Sequence, residues 1–130
     1  MRRVLLGLVG VLAADPGHAD EIYSFTTLVN GVWPQQTLIH CQEPARMNGR
    51  RPERCTLSEQ ATAYPDRKYL KPFDPGVTCA AGHPITFHPN GTLAYCKLDE
   101  VQTFATRDPP GYATCSGYVT FDPDGIAECD

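Results

Sequence analysis

The feature that most constrains the fold of this chain is a turn pattern that occurs twice and ends each time in a cysteine. The segments Ile85 to Cys96 and Tyr118 to Cys129 both contain Thr-Phe, one further residue, Pro-Asn-Gly or Pro-Asp-Gly, and a short stretch before the cysteine. Proline presets the first turn angle and glycine supplies the positive φ of a tight turn. The pattern predicts two β-hairpins, and a degenerate third copy from Cys41 to Leu57 keeps Asn48-Gly49.

The alternation of side chains along a strand predicts which residues of each hairpin share a face. In the first clear hairpin the apolar face comprises Ile85, Phe87, Leu93 and Tyr95. In the last hairpin the corresponding face comprises Val119, Phe121, Ala127 and Cys129. The same register puts Cys96 on the face opposite its apolar set, so the two copies are expected to be offset by one residue.

The rest of the composition also favours short strands. Among 130 residues there are 11 glycines and 12 prolines, so the chain must turn often. Residues on both sides of Asn30-Gly31 predict another hairpin, with these two residues as its loop, and only Leu57 to Tyr64 has the composition of a short helix. The predicted glycine turns are at Gly31, Gly49, Gly91 and Gly125. We expect an all-β fold, a small disulfide-stapled array of antiparallel β-hairpins.

The first 19 residues have the features of a secretory signal peptide. Two arginines precede the apolar run Val4 to Ala14, and small residues precede the bond between Ala19 and Asp20. This run is too short to span a bilayer and no later run approaches its length, which predicts no transmembrane segment. The prediction is a protein exported to the periplasm or the extracellular space, with residues 20–130 forming a single β-hairpin-repeat domain.

Six cysteines in an exported chain indicate three disulfides. The cysteines are Cys41, Cys55, Cys79, Cys96, Cys115 and Cys129. None lies within ten residues of another, which disfavours a zinc site of the Cys-x2-Cys type. Six cysteines allow fifteen connectivities. Pairing within each copy is favoured over pairing between copies, but the predicted orientation of Cys96 counts against it, so both remain open.

The charge distribution excludes few classes of binding partner and suggests one candidate binding surface. The net charge of −4 argues against nucleic-acid binding, which depends on clustered cations. The middle of the chain is basic, and its candidate anion-binding patch comprises Arg46, Arg50, Arg51 and Arg54. The second half is acidic, so we expect these arginines to balance it rather than to bind a partner.

No catalytic, metal-binding or cofactor-binding motif is evident. His83 and His88 are five residues apart, which places them on opposite faces of a strand, and His40 adjoins a cysteine that is expected to be oxidised. No serine lies in a Gly-x-Ser-x-Gly motif. The Asp-Pro-Asp-Gly sequence from Asp122 to Gly125 is explained better by a turn than by a calcium loop. We therefore predict no catalytic residue, no metal and no cofactor.

The longer pattern Gly-x-x-Ile-x-Phe-x-x-(Asn/Asp)-Gly-x-Leu-x-x-Cys-x-Leu is carried by residues Gly82 to Leu98 and more loosely by Gly117 to Cys129. It resembles the short β-hairpin repeats of exported bacterial proteins of uncharacterised role, which are similar in style to MORN-type repeats. The resemblance implies hairpins stacked side by side, which sometimes serve as binding platforms. It assigns no catalytic residue to any position.

These features favour a non-catalytic binding or envelope-associated module whose partner is a protein or another envelope component. One alternative is a secreted inhibitor or effector that presents a disulfide-braced loop, either Arg46 to Arg54 or His83 to Gly91. A second is a small hydrolase that uses His40, His83 or His88 with a carboxylate. A flat aromatic strip would favour the binding module, a protruding braced loop the inhibitor, and a histidine with a carboxylate in a concave pocket the enzyme.

Mass spectrometry of the exported protein tests the predicted processing and oxidation. We expect Asp20 as the first residue and a mass six hydrogens below that of the reduced chain. Three or more thiols that react with an alkylating agent in the unfolded, unreduced protein would contradict the three disulfides.

Overall fold

The computed structural model describes residues 20–66, 76–105 and 111–130, and all regular secondary structure in them is β-strand. The strands are β1 (Glu21–Val29), β2 (Trp33–Cys41), β3 (Arg46–Asn48), β4 (Arg51–Thr56), β5 (Ala61–Ala63), β6 (Val77–Cys79), β7 (Pro84–Phe87), β8 (Leu93–Lys97), β9 (Gln102–Ala105), β10 (Tyr112–Cys115), β11 (Tyr118–Phe121) and β12 (Ala127–Cys129). No helix in these ranges could cross a membrane. The predicted signal peptide lies outside the described residues.

The all-β, hairpin-based fold predicted from the sequence is confirmed. The largest sheet has six antiparallel strands in the order β12-β11-β8-β7-β4-β3. It consists of three hairpins side by side, β3–β4, β7–β8 and β11–β12, which we call the sheet hairpins. They fall within residues 41–57, 79–98 and 115–129, so each copy of the sequence pattern contributes one hairpin to a continuous sheet.

Each sheet hairpin is preceded along the chain by one further hairpin. The pairs β1–β2, β5–β6 and β9–β10 each form a two-stranded antiparallel sheet, and we call them the entry hairpins. Each entry hairpin ends in a cysteine, namely Cys41, Cys79 or Cys115. An entry hairpin and the sheet hairpin that follows it make one unit, and the described chain contains three such units.

A disulfide closes each unit on itself. The bonds are Cys41–Cys55, Cys79–Cys96 and Cys115–Cys129, and no cysteine is free. This is pairing within copies. In the second unit the chain reverses between Cys79 and β7 through Gly82, whose φ is +81°.

The strand register of the second unit differs from the predicted one because the hairpin contains a β-bulge. Phe87 pairs with Leu93 as expected, but the register then shifts, and Thr86 pairs with Tyr95. The shift places Cys96 in the core, where it is fully buried, and it leaves Tyr95 half-buried on the opposite face. The predictions that Tyr95 shares the face of Ile85 and that Cys96 opposes it are therefore wrong. The bulge absorbs the one extra residue that this copy carries between its turn glycine and its cysteine.

The core lies between the sheet and the entry hairpins. Buried residues of the sheet hairpins face it, including Ile85, Phe87, Cys96 and Val119. Two aromatic pairs join the layers: Phe25 of β1 meets the ring of Phe87 edge to face at 5.2 Å, and Phe104 of β9 meets Phe121 in the same way at 5.1 Å. Such pairs add to the free energy gained by burial. One face of the six-stranded sheet is thus covered by the entry hairpins.

Two local predictions are corrected. Residues 57–64 form no helix, because Leu57 bridges to Cys41 and Ala61–Ala63 pairs with β6. The loop between β1 and β2 has three residues rather than two, since Val29 pairs with Trp33. The four predicted turn glycines, Gly31, Gly49, Gly91 and Gly125, all have positive φ.

Replacement of Gly91 by alanine is expected to destabilise the fold by about 1–3 kcal/mol. Gly91 has a φ of +90°, and a Cβ there would lie 3.2 Å from the Cδ and Nε atoms of Arg51. Its carbonyl also accepts a hydrogen bond from the buried Thr27 hydroxyl at 3.0 Å. Denaturant unfolding measures the loss. Gly117→Ala is the control, because a Cβ at that position would meet no atom within 4 Å and its φ is not in the left-handed region; equal stability of the two variants would contradict the assignment.

Candidate functional site

The face of the six-stranded sheet that points away from the core is accessible to solvent in the part of the chain that the structure describes, and we call it the outer face. Strand alternation sets its residues, because cross-strand partners point to the same side of a sheet. One row runs across all six strands through Arg46, Arg54, Thr86, Tyr95, Thr120 and Glu128. None of these residues is buried, and Arg46, Arg54, Thr120 and Glu128 are exposed.

Two tyrosines stack at the middle of the outer face. Tyr95 and Tyr118 lie diagonally on β8 and β11, with ring centroids 5.1 Å apart and ring planes within 10° of parallel. The Tyr118 hydroxyl is 2.9 Å from Nδ1 of His83, and the imidazole also meets the Tyr118 ring edge to face. Contacts on both sides hold the Tyr118 ring in place, so this aromatic surface is preorganised.

The Tyr95 hydroxyl remains protonated at neutral pH, because its pKa is raised. Partial burial raises the pKa of Tyr95 above its ordinary value, and the nearby charge of Asp130 raises it further. Arg54 acts in the opposite direction. The phenol is therefore available to donate or accept a hydrogen bond without carrying charge.

Charge is graded along the outer face on either side of the tyrosines. Arg46 and Arg54 lie at the end formed by β3 and β4, whereas Glu128 and Asp130 lie at the end formed by β12. A ligand that covers the whole face would meet a cationic end, an aromatic centre that also carries Lys97, the cross-strand partner of Tyr118, and an anionic end. This gradient gives the face a direction, which favours one orientation of a bound partner.

The four arginines of the candidate anion patch do not form one surface. Arg51 and Arg54 are three residues apart on β4, so their side chains leave opposite faces of the sheet. Arg51 lies against Gly91 on the core side, and Arg46 pairs with Glu53, with Nε 3.7 Å from Oε2. Arg50 is exposed in the turn between β3 and β4. Arg46 and Arg54 alone contribute to the outer face.

His83 and His88 have separate partners, as their odd spacing suggested. Nε2 of His88 lies 2.9 Å from the carbonyl oxygen of Phe121, which can only accept a hydrogen bond, so Nε2 carries the proton. This bond ties the turn of the second sheet hairpin to the third. His88 therefore has a structural role, whereas His83 belongs to the outer face.

The structure brings together four side chains that the sequence pattern does not group. Nδ1 of His40 lies 3.4 Å from Oε2 of Glu59 and 4.0 Å from Oδ2 of Asp20. The Ser58 hydroxyl donates a hydrogen bond to Oδ2 of Asp20 at 2.9 Å. These residues come from the start of β1, the end of β2 and the turn after β4. No linear motif marks them, and only the pairing of β1 with β2 and the bridge between Cys41 and Leu57 place them side by side.

Comparison of the chain with protein-family models, with curated proteins and with solved structures finds no match in any of the three.

Replacement of Asp130 by asparagine is expected to lower the pKa of Tyr95, because a nearby negative charge disfavours the phenolate. Arg54→Gln is expected to raise it, because the guanidinium favours the phenolate. Alkaline titration of phenolate absorbance measures both, and subtraction of the Tyr95→Phe curve isolates this residue. Glu21→Gln on β1 is the control; an Asp130→Asn curve identical to that of the control would contradict the geometry of the outer face.

Proposed function

We propose that this protein is an exported, non-catalytic binding module that holds a protein partner on the outer face of its six-stranded sheet. The observation that carries the proposal is the stacked pair of Tyr95 and Tyr118, half-buried at the centre of an open face and flanked by His83 and Arg54. We place it in the periplasm or outside the cell, where the three disulfides would persist.

The composition of the outer face supports a protein partner. Tyrosine and arginine, with tryptophan, are the residues enriched where alanine replacement weakens a protein interface strongly, and such residues cluster near its centre. A stacked tyrosine loses little conformational freedom on binding and offers both an apolar ring and a polar hydroxyl. The charged residues at both ends form the polar rim expected around such a centre.

A hydrolase has less support from the geometry. Among the described residues, carboxylates within 4.0 Å of a histidine occur at His40 and not at His83 or His88, and the side chains of these carboxylates, Asp20 and Glu59, are 36% and 60% exposed. The Ser58 hydroxyl donates to Asp20 rather than to the imidazole, so His40 is not aligned with it as a general base.

A secreted inhibitor is the second candidate function, and one observation favours it. The turn between β3 and β4 is exposed from Asn48 to Arg50, lies at the edge of the sheet, and is braced by the disulfide Cys41–Cys55. The other loop considered, His83 to Gly91, does not protrude, because Ile85, Phe87 and Gly91 are buried.

Affinity capture with single-residue variants tests the binding proposal. The immobilised, disulfide-bonded protein is exposed to envelope and secreted fractions of its source, and each captured protein is then titrated against the variants. Tyr95→Ala and Tyr118→Ala are expected to weaken binding by about thirtyfold, the loss typical of a central interface residue. Tyr112→Ala is the matched control, because Tyr112 is 62% exposed on β10, away from the outer face.

The same titrations distinguish the binding module from the second candidate function, the secreted inhibitor. A partner lost with Arg50→Ser but retained by both tyrosine variants would establish the β3–β4 turn as the binding element and contradict the outer-face proposal. Capture of no partner by the wild-type protein from either fraction would also contradict it.

A further inference from the structure

We propose that Asp20, His40 and Glu59 form a binding site for a divalent transition-metal ion such as Zn²⁺. The potential ligand atoms of these three residues all lie within 4.8 Å of one another. Ligand atoms around one tetrahedral zinc ion are separated by about 3.3–3.6 Å, given metal–ligand distances of about 2.0–2.2 Å. The distance from His40 to Glu59 already matches at 3.4 Å, and that from His40 to Asp20 is 4.0 Å.

The donor set selects the class of ion. One imidazole nitrogen and two carboxylates suit zinc and its neighbours in the first transition row, whereas calcium prefers six to eight oxygen ligands. Three protein ligands also leave a fourth tetrahedral position for water or a further group. The two carboxylates are exposed, so small rotations about their side-chain bonds can bring both oxygens to a bound ion.

The backbone next to His40 and Glu59 is held by a disulfide and by main-chain pairing. His40 precedes the disulfide-bonded Cys41, and its carbonyl accepts a 2.8 Å hydrogen bond from the Ser58 amide. The adjacent Cys41 bridges to Leu57. The Ser58 hydroxyl orients the Asp20 carboxylate, as outer hydrogen-bond partners do for metal ligands.

The repeat provides an internal comparison. In the second unit the Asp99 amide donates to the Thr78 carbonyl, which matches the bond from Ser58 to His40 in the first unit. Glu100 then occupies the position of Glu59, but Thr78 replaces His40. The imidazole therefore occurs in the first unit and not in the second, although both units have the same backbone arrangement. Repeat geometry alone thus does not require a histidine at this position.

Calorimetric titration with Zn²⁺ alone tests the site in the disulfide-bonded protein after treatment with a chelator and dialysis. We expect one saturable site per chain. His40→Ala and Glu59→Gln should each weaken binding by about tenfold or more, since changes even to groups behind the ligands have effects of this size. Glu100→Gln is the matched control and should bind as the wild-type protein does.

Three results would overturn the proposal: no saturable binding, unchanged affinity in Glu59→Gln, or an equal loss in Glu100→Gln. The Glu59 side chain is 60% exposed, so Glu59→Gln is expected to fold even if His40→Ala does not. The site shares no residue with the outer face, so partner capture and zinc titration can fail separately.

Discussion

The structure depends on one covalent constraint that is repeated three times. The last residue of each entry hairpin is a cysteine bonded to the second strand of the sheet hairpin that follows it, across 14 to 17 residues. Closing a loop of this length in the unfolded chain contributes about 3 kcal/mol of stability in the chain-entropy view. Each unit is thereby closed on itself. Main-chain pairing of neighbouring sheet hairpins then joins the units into one sheet.

One β-bulge determines whether Tyr95 or Cys96 lies on the outer face of that sheet. The stretch after Gly91 has one residue more before its cysteine than the stretch after Gly125, and the bulge in β8 accommodates it. Without the bulge, Cys96 would point outward and Tyr95 into the core. The same local distortion therefore permits the second disulfide and places Tyr95 beside Tyr118. The tyrosine surface is for this reason tied to the covalent framework beneath it.

The sequence was sufficient to predict four of the six hairpins, because Asn-Gly, Pro-Asn-Gly and Pro-Asp-Gly impose turns locally, but it did not predict β5–β6 or β9–β10. It did not reveal the bulge, since packing decides which residue of a strand is left unpaired. The expected helix at residues 57–64 does not form, because residues 61–63 pair with β6 instead. The sequence signal for this strand is that Cys-x-Leu continues as Ser-Glu after Cys55 and as Asp-Glu after Cys96, and a short strand follows each. The outer face required the strand order, and the grouping of Asp20 with His40 and Glu59 required the tertiary contacts.

The most direct test of the three-unit architecture is disulfide mapping by tryptic digestion of the unreduced protein, followed by mass spectrometry. Trypsin cleaves after Arg54, Lys68 and Lys97 but not between Lys71 and Pro72, so Cys79 and Cys96 stay on one peptide. Cleavage after Arg107 likewise leaves Cys115 and Cys129 together. Closure within units predicts internal disulfides in peptides 69–97 and 108–130, and one cross-link between the peptides that carry Cys41 and Cys55. A cross-link that joins peptide 69–97 to any other peptide would contradict it.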